Sequence, residues 1–326
     1  MSRSLSAFLF VALFALAGAS RPSGRLPDHP AVRRVLLVSI DGLRPDVLLR
    51  ARAPVLRSLM ARGCFTMWAQ TTALAVTLPS HASMLTGVSP EKHRILWNTD
   101  VPPARLVYPA RPTLFELASR AGFTTAMVAG KSKFSALAKP GTLRWSFVPE
   151  TGVISDEAVT DTATRFIALH APQVLFVHLP AVDTAGHEHG WGSEGQLLAV
   201  ERADRCVGRL LEALRERRLV DSTLVIVSAD HGGAGRSHGP GDPRSRFIPW
   251  IVTGPGVRKN VDLALYADLS VRTEDTFATI CALLGILPDG PVDGHPVYEI
   301  LGGGFPGSST SPAAARSLSR SRSASR

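Results

Sequence analysis

The chain of 326 residues is 45% hydrophobic and 19% charged, which predicts a globular, enzyme-sized protein with one large core or at most two modest ones. Its formal net charge of +9 is concentrated in arginines near the two ends, four of them in the C-terminal segment RSLSRSRSASR. The remainder is only weakly basic. Without interleaved aromatic residues this excess is not typical of a nucleic-acid-binding module, so no specific nucleic-acid partner is expected.

The N-terminal residues have the pattern of an export signal. An apolar run over residues 5–17 follows Arg3 and is succeeded by small residues at 17–20. The run is short for a membrane-spanning helix, so it predicts a secretory signal peptide over residues 1–20, with an uncleaved anchor as the alternative. A linker at 21–32 follows. We expect an exported protein, periplasmic or extracellular, with no membrane span in the mature chain and a disordered Ser/Arg-rich tail at 304–326.

Strand and helix patterns alternate along the rest of the chain. Five apolar runs have strand length: RRVLLVSI, CFTMWAQT, FTTAMVAG, QVLFVHLP and STLVIVSA. Helical patterns lie between or after them, at residues 45–62, 113–120, 156–169, 194–217 and 273–284. Residues 92–111 are rich in proline and predict a loop or small insertion. The alternation predicts an α/β fold with a mostly parallel sheet and helices on both sides.

The stretch AVTLPSHASMLTG combines hydroxyl groups with a proline where a helix begins. Pro79 favours the first helical position, which places Thr77 at the mouth of the helix. Unpaired N–H groups and the helix dipole at such a mouth stabilise an anion or a developing alkoxide. Thr77 is therefore a candidate nucleophile, and the alternative is an ordinary capping hydroxyl.

Carboxylates and imidazoles follow three of the predicted strands. They are Asp41, then Asp183 with His187, then Asp230 with His231 and His238. Open α/β sheets bind ligands beyond the carboxyl ends of their strands, so these groups are expected to converge. Carboxylate and imidazole together suit zinc, and six such groups are too many for one tetrahedral ion but suit two. Taken singly, each aspartate could cap a helix and each histidine could be an ordinary surface or core residue.

Other polar residues are weaker candidates. Lys131 ends one predicted strand and could reach a substrate phosphate, and Asn98 and His189 are in similar positions. His295 could replace His238 as a metal ligand, but its surroundings do not resemble a ligand turn.

The cysteines show no paired spacing. Cys64, Cys206 and Cys281 lie in apolar segments, and their odd number excludes complete pairing. We therefore expect buried free thiols.

Five stretches of the chain resemble the alkaline phosphatase superfamily and, within it, the type I phosphodiesterase and nucleotide pyrophosphatase family. They are VSIDGLRPD, TLPSHASMLTGVSPEKH, HLPAVDTAGHEHGWGS, VSADHGGAGRSHG and IPWIVTGPGV. The resemblance covers residues 35–301 and implies an alkaline phosphatase-like catalytic domain at 33–303, built as a three-layer αβα sandwich. It also implies two divalent ions, expected to be zinc, in two ligand sets: Asp183, His187 and His238 for one ion, and Asp41, Asp230, His231 and Thr77 for the other.

The same resemblance implies a two-step hydrolysis of a small-molecule phosphoester. Thr77 attacks phosphorus and water then hydrolyses the phosphothreonine. Ser80 stands where the diesterase branch commonly has an asparagine, which makes Ser80 a candidate to hydrogen-bond the phosphoryl oxygen.

The sequence leaves several activities open on this scaffold. A phosphodiesterase or pyrophosphatase comes first, since no evident arginine clamp matches a dianionic monoester. A phosphomonoesterase or phosphonate hydrolase and a non-catalytic metal-binding protein are the alternatives. A sulfatase is a poor third choice, because Thr77 and His81 stand where sulfatases need a modifiable cysteine or serine and usually an arginine. The sequence does not predict an oligomeric state.

Overall fold

The computed structural model describes residues 32–100 and 106–302. The predicted signal peptide, all of the predicted linker except Val32, and the predicted Ser/Arg tail lie outside the described residues. Within the described part, no helix combines the length and apolar character needed to cross a membrane.

A single mixed sheet forms the centre of the described chain. Its eight strands are β1 Arg34–Ile40, β2 Cys64–Gln70, β3 Thr125–Ala129, β4 Trp145–Phe147, β5 Val174–Leu179, β6 Thr223–Ser228, β7 Phe247–Thr253 and β8 Val261–Asp262. Their order across the sheet is β4-β3-β5-β1-β6-β7-β2-β8. The five neighbouring strands from one edge of the sheet, β4, β3, β5, β1 and β6, are parallel to one another. Strand β7 is antiparallel to both of its neighbours, β6 and β2. The predicted mostly parallel sheet is confirmed.

The helices pack in two groups and complete an αβα sandwich. They are α1 Pro45–Arg50, α2 Pro54–Arg62, α3 Thr77–Thr86, α4 Pro90–His93, α5 Leu114–Arg120, α6 Asp156–His170, α7 Ala181–His189, α8 Glu194–Glu216 and α9 Thr273–Leu284. Helix α8 contacts α1, α2, α6 and α7, whereas α3 contacts α4, α5 and α9. Helix α3 is unusual because all ten of its residues are buried.

One predicted helix is two helices in the structure. The pattern over residues 45–62 is interrupted between α1 and α2, with Pro54 at the first position of α2. Proline lacks an N–H and disfavours helical geometry in the residue before it, so Ala53 adopts a non-helical conformation. Periodicity alone did not reveal this break.

Strand β7 was not predicted as a strand, and it contains Pro249 in the sheet interior. Pairing with β2 is interrupted between Thr66 and Ala69, opposite the segment that holds Pro249. A proline has no N–H to donate, so an irregularity in the partner strand at this place is expected. On the other side, the carbonyl oxygen of Pro249 accepts a hydrogen bond from Ser228 Oγ at 2.9 Å.

Helix α3 begins at Thr77, two residues before the predicted start at Pro79. The first four N–H groups of a helix have no acceptor within it, so a proline at the third position costs no hydrogen bond. Thr77 nevertheless lies at the helix mouth, as predicted. The three cysteines are free and buried, which confirms the expectation for them.

The sheet topology gathers the polar residues of the sequence motifs. β1 lies between β5 and β6 and is parallel to both, with Ser39 opposite His178 on one side and Ser228 on the other. Asp41 directly follows β1, and Asp230 comes two residues after β6. Asp183 lies in the first turn of α7, just after β5. The three carboxylates therefore converge at one edge of the sheet.

Candidate active site

Asp41, Asp230 and His231 form one cluster, which we call the closed cluster because all three side chains are fully buried. His231 Nε2 lies 3.3 Å from Asp41 Oδ1 and 3.2 Å from Asp230 Oδ2. One ligand atom from each residue lies within 4.8 Å of the others, a spacing that would let them hold a metal ion.

Asp183, His187 and His238 form a second cluster, which we call the open cluster. The Nε2 atoms of His187 and His238 lie 3.4 Å and 3.7 Å from Asp183 Oδ1, and the His187 side chain is 44% exposed. His231 Nε2 also approaches Asp183 Oδ1, at 4.0 Å. Among the described residues, the second set with the spacing for a metal ion is Asp183, His231 and His238, so His231 and not His187 completes it, and His231 lies between the two clusters.

The three histidines of these clusters are all in the same tautomer. Each hydrogen-bonds through Nδ1 to a backbone carbonyl: His231 to Gly232 at 2.8 Å, His238 to Ala75 at 2.9 Å and His187 to Arg236 at 3.0 Å. A carbonyl only accepts, so Nδ1 carries the proton and Nε2 presents a lone pair. This is the arrangement that orients a metal-ligating imidazole.

Three carboxylate oxygens in the clusters have no hydrogen-bond partner among the residues that the structure describes. They are Asp41 Oδ1, Asp183 Oδ1 and Asp230 Oδ2, all buried. Buried polar atoms without partners are rare and costly, and a cation is the natural partner for three of them. Burial and the repulsion of Asp41 raise the pKa of Asp230 well above its ordinary value. Burial, with the neighbouring His238, lowers the pKa of His231 to about 4, which keeps its imidazole neutral. The donor set therefore fits divalent metal ions.

Lys131, a weaker candidate from the sequence, lies between the clusters and is almost completely buried. Its Nζ atom is 2.7 Å from Asp41 Oδ2 and 2.6 Å from Asp183 Oδ2. Burial opposes the charge on this ammonium, but the two carboxylates outweigh it and raise the pKa of Lys131. Burial likewise opposes the charge on Asp41, whose pKa the Lys131 ammonium and His178 hold well below its ordinary value.

His178 is a site residue that the sequence reasoning missed. Gly130 N–H donates to His178 Nδ1 at 3.3 Å, so Nε2 carries the proton and donates to Asp41 Oδ2 at 2.9 Å. The signal was visible as one histidine within the apolar strand VLFVHL. An imidazole in a fully buried strand needs a polar partner.

Thr77 contacts the closed cluster. Its Oγ1 lies 3.3 Å from His231 Nε2, and the residue is almost fully buried. His81, one turn along α3, donates from Nδ1 to the Thr77 carbonyl at 2.7 Å, while its Nε2 meets Ser39 Oγ at 2.8 Å. Both nitrogens of His81 are thus occupied, and this imidazole anchors the start of α3 to β1.

A cavity of about 390 Å³ opens onto Thr77 and the open cluster. Twelve residues line it: Thr77, Asn98, Asp100, Lys131, Lys133, Gly152, Val153, Asp183, Thr184, His187, Glu188 and His238. Asn98 Oδ1 accepts the Leu78 backbone N–H at 2.9 Å, which places the Asn98 amide beside the nucleophile candidate. Asn98 was only a weaker candidate in the sequence, because nothing there showed that the loop after α4 returns to the helix mouth.

Ser80 lies outside this cavity lining. It is fully buried, and its Oγ is 3.0 Å from Thr71 Oγ1 and 3.2 Å from Thr72 Oγ1. These contacts connect the first turn of α3 to the segment after β2. They give Ser80 a structural place and no direct access to the cavity.

Two further histidines are separate from the clusters. His295 bonds through its backbone N–H to Asp275 Oδ1 at 2.8 Å, whereas His238 is the histidine beside Asp183. His189 is exposed near Glu188. The structure thus places His238, the histidine preferred over His295 from the sequence, beside Asp183.

Gly42 and Trp191 hold the turns that carry the ligands. Gly42 has φ of +71°, and its N–H donates to Asp230 Oδ1 at 3.1 Å. A Cβ there would lie 2.9 Å from the Asp183 Cα, so a side chain would collide with backbone. Trp191 Nε1 donates to the Gly42 carbonyl at 2.9 Å, and the indole packs edge-on to His187. Trp191 was missed because its partners are distant in sequence.

A model of the family "type I phosphodiesterase / nucleotide pyrophosphatase" matches residues 35–239. The chain belongs to this family. The matched segment includes all six residues of the two clusters and Thr77.

Named relatives are longer than the segment they share with this chain. Human ectonucleotide pyrophosphatase/phosphodiesterase family member 1 is 28% identical over 220 residues, which cover 60% of this chain and 23% of the relative. Human bis(5'-adenosyl)-triphosphatase is 25% identical over 214 residues, which cover 61% of this chain and 47% of the relative. The chain thus spans less than half the length of these relatives.

Solved structures share the fold at low identity. Murine ectonucleotide pyrophosphatase/phosphodiesterase 5, as an inactive threonine-to-alanine variant in complex with AMP, matches with a TM-score of 0.70 and 16% identity, covering 83% of this chain and 100% of that one. The phosphonate monoester hydrolase of Agrobacterium radiobacter matches with a TM-score of 0.63 and 17% identity, covering 85% and 78%. These likenesses establish the alkaline phosphatase-like fold.

Proposed function

We propose that this protein is a metal-dependent phosphoester hydrolase, most simply a phosphodiesterase or nucleotide pyrophosphatase, with Thr77 as nucleophile. The observation that carries the proposal is the position of Thr77 Oγ1, 3.3 Å from His231 Nε2 and on the wall of the cavity. Membership of the family supports the reaction class.

We further propose that the closed and open clusters each hold one divalent ion, expected to be zinc. His231 would serve the closed cluster, as the family resemblance implies, with His187 completing the open one. When bound, such ions offset the charge of the phosphoryl oxygens and lower the pKa of the Thr77 hydroxyl. The orphaned oxygens of Asp41, Asp183 and Asp230 support this assignment.

The residues of the chain then perform the following steps. Thr77 Oγ loses its proton to cavity water and forms a bond to phosphorus, while the bond from phosphorus to the leaving oxygen breaks and its electron pair leaves with that oxygen. Water next attacks the phosphothreonine and restores the Thr77 hydroxyl. The start of α3 favours the negative charge at both stages. Asn98, bound to Leu78 N–H, offers its NH₂ to a phosphoryl oxygen.

Lys131 and His178 orient the carboxylates of the proposed metal ligands. Both donate to Asp41 Oδ2, which leaves Oδ1 as the oxygen available to a cation. Lys131 also donates to Asp183 Oδ2, which leaves Asp183 Oδ1 available to a cation. These contacts fix the orientation of each carboxylate, which is how neighbouring groups preorganise a metal site.

The N-terminal pattern supports a proposal about location. We propose that the protein is exported, because residues 5–20 combine an apolar run with small residues. Its phosphoester would then be encountered outside the cytoplasm, as a small molecule.

A hydrolysis panel tests the proposed function. Purified protein with added zinc is assayed on bis-p-nitrophenyl phosphate, p-nitrophenyl phosphate and the p-nitrophenyl ester of a nucleotide. We expect kcat/KM for the two diesters to exceed that for the monoester, with little difference between the diesters. A monoester preference of tenfold, or about 1.4 kcal/mol in transition-state binding, would instead favour the phosphomonoesterase alternative.

A further inference from the structure

Two lysines line the cavity beside Thr77, and their charges are compensated very differently. Lys131 makes two short ion pairs with Asp41 and Asp183. Lys133 is half-buried, and no carboxylate of the described residues lies within 4.0 Å of its Nζ atom. Within the described part of the chain, its ammonium donates to neutral oxygens of Asn98 alone, at 2.7 Å to the carbonyl and 3.4 Å to Oδ1.

The surroundings of Lys133 make its charge costly. Burial, together with the nearby Lys131 ammonium, lowers the pKa of Lys133, and the more distant carboxylates of Asp41, Asp100 and Asp183 only partly oppose this shift. Asp100 lines the same wall, but its Oδ1 accepts the Ser132 hydroxyl at 2.8 Å. A half-buried cation held on neutral oxygens gains more from an incoming anion than a cation that is already paired.

Lys133 also lies close to the place of reaction. Asn98 Oδ1 joins it to the Leu78 N–H, the first backbone group after Thr77. Leu78 N and Lys133 Nζ both donate to Asn98 Oδ1, at 2.9 Å and 3.4 Å, so these two nitrogens are at most about 6 Å apart. This separation lets one substrate place a phosphoryl group at Thr77 and a second group at Lys133.

We propose that Lys133 forms an anion subsite of the cavity, which selects phosphoesters carrying a second anionic group, a phosphate or a carboxylate, a few bonds from the reacting phosphorus. The inference rests on the proposed function for its kinetic readout and deepens it by naming the substrate class. It assigns Lys133 as a specificity-determining residue. The sequence shows no evident arginine clamp, but Lys133 gives the cavity a cation that binds neutral oxygens and could bind an anion.

Three matched diesters test the subsite. Methyl p-nitrophenyl phosphate has no second anion, while 2-carboxyethyl p-nitrophenyl phosphate and 2-phosphonooxyethyl p-nitrophenyl phosphate add a carboxylate or a phosphate. All three release the same p-nitrophenolate, so the ratio of their kcat/KM values isolates the remote group. We expect at least one dianionic or trianionic diester to be favoured about tenfold by the wild-type protein.

Substitution of Lys133 should remove this preference. In Lys133→Met the ratio should fall to within about twofold of unity, and in Lys133→Arg it should be largely retained. Lys139→Met is the matched control, because Lys139 is paired with Glu116 at 3.0 Å and lies outside the cavity lining. A wild-type ratio near unity overturns the proposal. So does an unchanged ratio in Lys133→Met, even with lower overall activity, because Lys133 would then only position Asn98.

A binding measurement separates this proposal from the proposed function. Calorimetry on Thr77→Ala protein with zinc compares dimethyl phosphate with 2-carboxyethyl methyl phosphate. Tighter binding of the second ligand, lost in the Thr77→Ala/Lys133→Met double variant, supports the subsite even if no diester is hydrolysed by the wild-type protein. Equal binding of the two ligands contradicts it, whatever the activity.

Discussion

The closed and open clusters present similar donors in very different settings. Asp41, Asp230 and His231 are fully buried and lie within three residues of the ends of β1 and β6. His187, by contrast, is 44% exposed and stands in the last turn of α7. The closed cluster is therefore shaped by the sheet itself, whereas the open cluster depends on a helix and a loop that meet at the cavity.

We propose that this difference corresponds to two tasks at one site. A buried ligand set is rigid and can be preorganised before any ion or substrate arrives. The partly exposed set lines the cavity, where solvent reaches it directly. We infer that the closed cluster and Thr77 dominate chemistry, and that the open cluster dominates exchange with solvent.

Removal of the Thr77 hydroxyl is the strongest test of that division. We expect Thr77→Ala to lower kcat by at least roughly a thousandfold, since covalent catalysis fails when its nucleophile is lost. Metal content by elemental analysis and the thermal midpoint should stay close to wild type. Thr86→Ala, at the far end of the same buried helix, is the control and should keep most activity. A Thr77→Ala protein with near wild-type turnover would remove Thr77 from the mechanism.

Metal content compares the two clusters directly. Carefully prepared wild-type protein should approach two zinc ions per chain. His231→Ala should lower the content at both clusters, because His231 lies between them, whereas His187→Ala should lower it at the open cluster alone. Activity should fall further in His231→Ala.

Chelation adds a kinetic comparison. A chelator should remove zinc from the wild-type protein in two kinetic phases. The faster phase is expected to come from the open cluster and should therefore be absent in His187→Ala. Loss of both ions in a single phase, or full activity with no ion, would contradict the two-cluster interpretation.

Asp156 connects α6 to the open cluster and gives a pH test. Its Oδ1 accepts Ala181 N–H at 2.9 Å, at the start of the helix that carries Asp183, and its Oδ2 has no hydrogen-bond partner in residues 32–100 and 106–302. Burial raises the pKa of Asp156 from 3.8 to about 7. Between these values the folded state binds more protons than the unfolded state, so the free energy of unfolding falls as pH rises from about 4 to 7.

Asp156→Asn should remove this loss and keep the acceptor for Ala181. We expect its thermal midpoint relative to wild type to be higher at pH 8 than at pH 5, by about 5 °C, which corresponds to roughly 2 kcal/mol. Asp161→Asn, at an exposed site on the same helix, should show no such trend. An equal offset for Asp156→Asn at both pH values would show that the carboxyl titrates normally.

Ser80 offers the smallest expected effect on activity. Its contacts with Thr71 and Thr72 lie outside the cavity, so Ser80→Ala should change kcat/KM by less than about threefold and cost about 1 kcal/mol of stability. Denaturant unfolding and the diester assay measure the two quantities. A hundredfold loss of kcat/KM with unchanged stability would restore the catalytic role predicted for Ser80.

Much of the site was predictable because its chemistry is local in sequence. Asp183 and His187 lie four residues apart, and Asp230 is next to His231, each pair just after a buried strand. Strand ends in a parallel sheet meet at one edge, so pattern and topology together placed these groups.

The residues that sequence reasoning missed, ranked as weaker candidates or assigned to another role owe their places to distant neighbours. Lys131 bridges two carboxylates that lie far from it and from each other in sequence, and Trp191 supports Gly42. The hydrogen bonds that turn Ser80 toward Thr71 have no sequence signature either. A single residue in a loop or strand does not reveal which distant partner it will meet.

The sequence by itself determined the αβα architecture, the nucleophile candidate and the donor residues, because apolar periodicity and motif spacing are properties of short segments. Only the tertiary structure decided the rest: the break before Pro54, the proline-containing β7, and the unequal burial of the two clusters. It also decided that, among the described residues, Lys131 forms ion pairs with two aspartates while Lys133 binds neutral oxygens. Burial and charge compensation depend on which elements pack together, and packing is a property of the whole chain.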